Sequence, residues 1–188
     1  MRSAFNRRRF AVALLVVVIA AGGSIGIAAA QSGGDSRATL ADAVQATAKY
    51  HQLDVAKGDE YGLFVDKNNV ACIAMDNMPE MGAMGIHYVK GALVGDGAID
   101  ASTPEAVVYE PEANGRLRLV ALEYVVLQSD WDAKHASPPT LFGQAFNFTP
   151  SGNRYGLPPF YSLHAWIWKH NPSGMFSMWN PEVSCPAG

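Results

Sequence analysis

Two hydrophobic periods divide the chain after its first thirty residues. Over residues 39–57 apolar positions recur every three or four residues at Leu40, Val44, Thr47, Tyr50 or His51, and Val55. That spacing predicts one amphipathic helix with a single face to bury. Thr39 is its expected N-cap, with Asp42 in a weak capping-box position, and Gly58 is its expected stop. Beyond it the period falls to two. Residues 61–65 and 70–74 flank Lys67-Asn68-Asn69 and predict a hairpin. Residues 85–89, 106–109, 116–127, 141–148 and 161–168 predict further strands. The loops between them are rich in Gly and Pro. One helix followed by about seven strands gives an α+β fold: a mostly antiparallel sheet or partly closed β-barrel with one N-terminal helix packed on it.

The first thirty residues follow a different pattern. Arg2, Arg7, Arg8 and Arg9 precede an apolar run from Phe10, and small residues end at Ala28-Ala29-Ala30. This predicts a signal peptide over 1–30, cut before Gln31, a polar linker over 31–37 and a single globular domain over 38–188. Arg7-Arg8 followed by Phe10 also resembles a twin-arginine export signal, so export runs by the general secretion route or by that one. The alternative is an uncleaved anchor, since about 20 apolar residues span a bilayer. Membrane association is expected only in that case, and the expected location is secreted or extracytoplasmic.

Composition agrees with a folded domain: 49% hydrophobic, 16% charged and 10% aromatic residues. The net charge of -3 conceals an asymmetry. Without the leader, ten basic residues face seventeen acidic ones, a net of -7. Nucleic acid is therefore not an expected partner, because neutralising phosphates needs a basic face. The two cysteines, Cys72 and Cys185, predict one disulfide in an oxidising compartment. Their separation has no zinc-type spacing.

Three stretches carry candidate chemistry. Glu123 is the only charge in the apolar run 119–127, where alternation places it on a face with Leu119, Ala121 and Val125. A buried carboxylate needs a partner. His87 lies within one predicted strand and His164 within another, the latter on a face with Ser162, Trp166 and Trp168. Two imidazoles and one carboxylate on neighbouring strands would hold a divalent metal ion with positions left open, or form an acid-base group in a pocket. Dispersed, they would be two backbone-bonded histidines and a solvated glutamate. Met75, Met78, Met81 and Met84 recur at a strict interval of three, a spacing suited to Cu(I) through soft thioether ligands, or to gap-filling against a core. Alternating aromatics at Tyr155, Phe160, Tyr161, Trp166, Trp168, Phe176 and Trp179 predict core, or the wall of a small-ligand pocket. No phosphate loop, nucleophile elbow, HExxH or dinucleotide glycine motif occurs.

The stretches GIHYV, AVVYEP, LRLVALEYVVL and LHAWIWKHNPSGMF resemble a family of uncharacterised secreted bacterial proteins, mainly actinobacterial, over roughly residues 46–186. The resemblance implies a compartment and a domain extent but no activity. In placing His and Glu on strands the chain is also similar to cupin-like small barrels. The ordered HxH…E spacing is absent, so their ligands do not carry over. Three classes follow: a module binding a metal ion or small ligand through a His/Glu cluster, an enzyme with an open position beside a substrate-sized pocket, or a cell-envelope protein with no site.

Overall fold

The computed structural model describes residues 32–75 and 77–186. The expected leader lies outside them. The first elements are α1 (Ser32–Thr47), a 3-10 turn at Ala48–His51, and α2 (Leu53–Gly58). The backbone is helical from Ser32, so Thr39 lies inside α1 rather than capping it. The single helix predicted over 39–57 is broken at Gln52, whose φ of -97° and ψ of 103° are extended. The break leaves the Tyr50 carbonyl free of a helical partner, and it accepts the Tyr109 hydroxyl at 2.7 Å. Among the described residues no helix is long and apolar enough to cross a membrane.

The predicted hairpin between 61–65 and 70–74 does not form. Strands β1 (Gly62–Leu63) and β2 (Cys72–Ala74) both pair antiparallel with β3 (Ala83–Val89). Gly62 opposes Val89, Leu63 opposes Tyr88, and Cys72 opposes Ile86, so the segment is one interrupted edge. Residues 65–71 are looped out because Asp66 closes the chain on itself. Its Oδ1 accepts the N–H groups of Asn68 and Val70, each at 2.9 Å, and Asn69 takes a φ of 62° that asparagine tolerates. Arg154 locks the loop, giving Nη2 to Asp66 Oδ2 at 2.9 Å and Nη1 to the Ala74 carbonyl at 3.0 Å. The Val70 N–H, with Arg154, outweighs burial and holds the Asp66 carboxyl below its ordinary range.

The sheet continues through β4 (Ala106–Pro111), β5 (Leu117–Leu127), β9 (Phe160–Ala165) and β8 (Asn147–Thr149), every pairing antiparallel. Its order is β1-β3-β4-β5-β9-β8, with β2 also on β3. The two ends do not meet, so the sheet is open and not a barrel. Short helices α3 (Gly91–Val94) and α4 (Gln128–Asp132) interrupt the connections, so several helices accompany the sheet rather than one. The strand predicted over 141–148 doubles back at Phe142-Gly143, with φ of 52° and 73°. It forms the small hairpin β6 (Thr140–Leu141) and β7 (Gln144–Ala145) before β8.

The two sheet faces bury different things. One carries Tyr88, Val107, Tyr109, Leu122, Tyr124, Val126 and Leu163, with Ala43, Tyr50 and Ala56 of the helical segment in the same core. Buried tyrosine hydroxyls there reach backbone carbonyls: Tyr61 to Pro104 and Tyr124 to Ala101, both at 2.7 Å. The other face holds a smaller core of Ala83, Val108, Val120, Ala121, Trp166 and Val183. A bulge in β5 opposite Val108-Tyr109 supplies one extra residue. Val120 and Ala121 therefore share the second face, and Leu119 falls on the first. Simple alternation, which puts Leu119 with Glu123, fails at this point. Trp168 likewise leaves the face of His164, because β9 ends at Ala165 and Trp168 packs in the first core. The tail returns to the sheet through a bridge between Asn180 and Ala83 and the disulfide Cys72–Cys185.

Candidate functional site

Three strands of the second face bring His87, Glu123 and His164 together. The ladder dictates the meeting. On β5 and β9, Glu123 and His164 are direct cross-strand partners, and Ala106 of β4 opposes Glu123 from the other side. His87 opposes Val108, two residues along β4 from Ala106. Directly opposed residues on one face lie about 4.5–5.5 Å apart at Cβ, close enough for side-chain contact. His87 must reach Glu123 diagonally across β4, and the side chain beside that path is the single methyl of Ala106.

The resulting geometry is tight. Glu123 Oε2 lies 3.3 Å from His87 Nε2, and Glu123 Oε1 lies 3.4 Å from His164 Nδ1. One donor atom from each residue falls within 4.8 Å of the others. All three residues are buried, His164 at 2% exposure and Glu123 at 8%. The rings of His87 and His164 stand edge to face at 5.5 Å. Both ring nitrogens of His87, and Nε2 of His164, are buried without a hydrogen-bond partner. Burial works against ionisation of Glu123, but His164 and then His87 outweigh it and hold the carboxyl well below its ordinary range. The cluster is thus a buried carboxylate between two imidazoles with unused nitrogens, a donor set capable of coordinating a metal ion.

A cavity of about 330 Å³ opens beside it, with His87 and Glu123 among its lining residues. Its wall draws on segments that periodicity left as loops, Val94 of α3 and Tyr155 and Leu157 before β9, and on Phe64, which falls in the predicted strand 61–65 but lies just after β1. Phe64 and Phe160 flank Tyr155 with ring centroids 6.4 and 5.8 Å away. Tyr155 and Phe160 of the aromatic set therefore line a pocket, whereas Tyr161, Trp168 and Phe176 belong to the first core and Trp166 to the second.

The four methionines have unlike surroundings. Met78 is 43% exposed, Met75 and Met81 are half-buried, and Met84 is 2% exposed on β3, its sulfur accepting the Tyr155 hydroxyl at 3.5 Å. Met78 precedes the 3-10 turn Pro79–Met81, and Met81 ends it. Cys72 and Cys185 form the predicted disulfide, and His170 is exposed.

Glu105 is a buried acid that no sequence pattern reveals. It precedes β4 at 2% exposure, and its Oε2 accepts the Val125 N–H at 2.9 Å. Burial pushes its carboxyl up to about 8, against the pull of that N–H. A folded pKa above the ordinary 4.5 means the folded state holds a proton that the unfolded state has lost. Its contribution to stability is full below about pH 4.5 and drains away as pH rises toward about 8. Urea denaturation of Glu105→Gln across pH 4–9 is expected to show a flatter pH profile than the wild type. Parallel profiles would exclude Glu105 as the titrating group.

No protein-family model, curated protein or solved structure matches the chain.

Proposed function

We propose that this is an exported extracytoplasmic domain that binds a divalent metal ion through His87, Glu123 and His164. One observation carries the reading: three buried donors of the right chemistry lie within 4.8 Å of one another while imidazole nitrogens beside them have no partner. Donors bound to one metal at ~2.0–2.2 Å in tetrahedral geometry stand roughly 3.3–3.6 Å apart. The observed contacts of 3.3 and 3.4 Å run to different oxygens of the carboxylate, and one donor from each residue lies within 4.8 Å of the others, so the set would close on an ion by side-chain adjustment. A cation placed among the three donors would also offset the charge of the buried carboxylate. Two imidazoles and a carboxylate suit zinc and its first-row neighbours, with at least one coordination position left for water or ligand.

Export is supported by the arginine-rich, apolar, small-residue pattern of residues 1–30 and by the disulfide. Membership of the uncharacterised secreted family would fit the same compartment. The test is elemental analysis of the protein purified from its own host after export, followed by Zn²⁺ titration of the stripped protein at pH 7.5. About one equivalent of a first-row metal, and one Zn²⁺ site, are expected. Metal-free protein that also fails to take up Zn²⁺, Mn²⁺, Ni²⁺ or Cu²⁺ would show the cluster to be a structural polar group.

A further inference from the structure

The cavity identifies a class of ligand. We propose that it binds a small monocarboxylate with an apolar body, whose carboxylate completes the coordination of the metal held by His87, Glu123 and His164. This rests on the metal reading above and adds what the open position is for.

Placement comes first. His87 and Glu123 line the cavity, while His164 does not. The third ligand therefore holds the ion from the side away from the cavity, and the open coordination position faces into it. At about 330 Å³ the cavity sits at the lower end of the ~300–1,000 Å³ typical of small-molecule sites.

Charge comes second. A divalent ion with one carboxylate and two neutral imidazoles leaves one net positive charge. The other lining residues named above are Phe64, Val94, Tyr155, Leu157 and Phe160, and Val89, Gly91, Ala106 and Val125 complete the wall. Apart from Glu123, no Asp, Glu, Lys or Arg is among them, so nothing in the wall balances that charge. In such surroundings an unpaired charge is costly, and a single anionic oxygen donor removes the cost. A phosphate would bring excess charge with no cationic wall to meet it. An amine would be repelled, and an alcohol would leave the charge uncompensated.

The wall sets the rest of the molecule. Phe64, Tyr155 and Phe160 present aromatic surface, and Val94 and Leu157 add aliphatic surface. The Tyr155 hydroxyl is committed to the Met84 sulfur. An aromatic or short aliphatic body with no polar group of its own fits this lining.

The experiment uses the exported protein, metal-stripped and then loaded with Zn²⁺ or Co²⁺. Calorimetry with Zn²⁺ is run first. Benzoate and hexanoate are then titrated into loaded and metal-free protein, with benzyl alcohol and hexylamine as comparators. The carboxylates are expected to bind only the loaded protein, at least 10-fold tighter than either comparator, and to shift the visible d–d bands of the Co²⁺ form. Val94→Trp and Leu157→Trp, from separate segments of the chain, are expected to weaken benzoate at least 10-fold while leaving Zn²⁺ affinity unchanged. If Zn²⁺ binds but the carboxylates bind no better than the alcohol, or both tryptophan variants bind benzoate as the wild type does, this proposal falls and the metal reading stands. If Zn²⁺ does not bind, the metal reading falls and takes this one with it.

Discussion

Glu123→Gln is expected to lower Zn²⁺ affinity on the order of 1,000-fold while leaving the metal-free protein at least as stable as the wild type. Loss of an outer-shell partner of a metal ligand already costs about 10–100-fold. Glu123 would be a direct ligand and the only negative charge in the cluster. Its loss should therefore cost more, on the order of 1,000-fold, or about 4 kcal/mol at ~1.4 kcal/mol per decade. Glutamine keeps the length and shape of the side chain, so the strand pairings of Glu123 with Ala106 and His164 are not disturbed. Stability separates two explanations of the same geometry. In a ligand site the imidazoles are neutral, and the carboxylate is a buried charge that costs the empty protein free energy; removing it is neutral or stabilising. In a purely structural cluster one imidazole is protonated and paired with the carboxylate, and removing one partner costs about 3–5 kcal/mol. Calorimetric Zn²⁺ titration and urea denaturation at pH 8 read both quantities on the same two proteins. Unchanged affinity, or a destabilisation of that size with no zinc site in the wild type, would assign the cluster to structure.

The three residues were legible in the sequence because each breaks a pattern. Glu123 is a charge in an otherwise apolar strand, and His87 and His164 are polar residues inside aromatic ones. Strand periodicity even fixes which face each takes, so long as no bulge intervenes. The bulge in β5 at Val120 lies outside the stretch from Ala121 to Val125. It therefore misplaced Leu119 and left Glu123 where alternation puts it. What periodicity could not show is strand order. His87 meets Glu123 only because β4 lies between β3 and β5 and contributes Ala106 at the crossing, and nothing local to either residue encodes that neighbour. The failed hairpin has the same origin. Residues 62–74 carry the turn chemistry of a hairpin at Asp66 to Val70, yet both halves find a better partner in β3, which lies further along the chain. Part of the cavity wall was invisible for another reason. Val94 and Leu157 sit in connections where no hydrophobic period exists to reveal what they face.

Breaking the disulfide should separate the stability of the domain from the integrity of the site. Cys72 and Cys185 lie 113 residues apart, so their bond removes a large loop entropy from the unfolded chain. The chain-entropy model values that at up to about 4–5 kcal/mol. The paired variant Cys72→Ser/Cys185→Ser is therefore expected to lose up to that amount in urea denaturation, with Tm lower by up to about 8–20 °C at about 2–4 °C per kcal/mol. The native contacts of the tail do not depend on the bond alone. Ala83 and Asn180 exchange N–H···O bonds at 3.2 Å, and Val183 is buried in the second core. The chains approach so closely there that a Cβ on Gly82, at φ 75°, would stand 2.0 Å from the Asn180 carbonyl oxygen. Only glycine allows that approach of the tail to the start of β3. The ligands hang on a separate support, since His87, Glu123 and His164 sit on the continuous ladder β3-β4-β5-β9. At 25 °C, where the variant is still folded, Zn²⁺ affinity should stay within about 3-fold of the wild type, or ~0.65 kcal/mol. A stability loss below about 1 kcal/mol would mean that the unfolded chain retains structure that the cross-link no longer needs to impose. A parallel collapse of Zn²⁺ affinity would mean that the tail, and not the ladder, sets the geometry of the site.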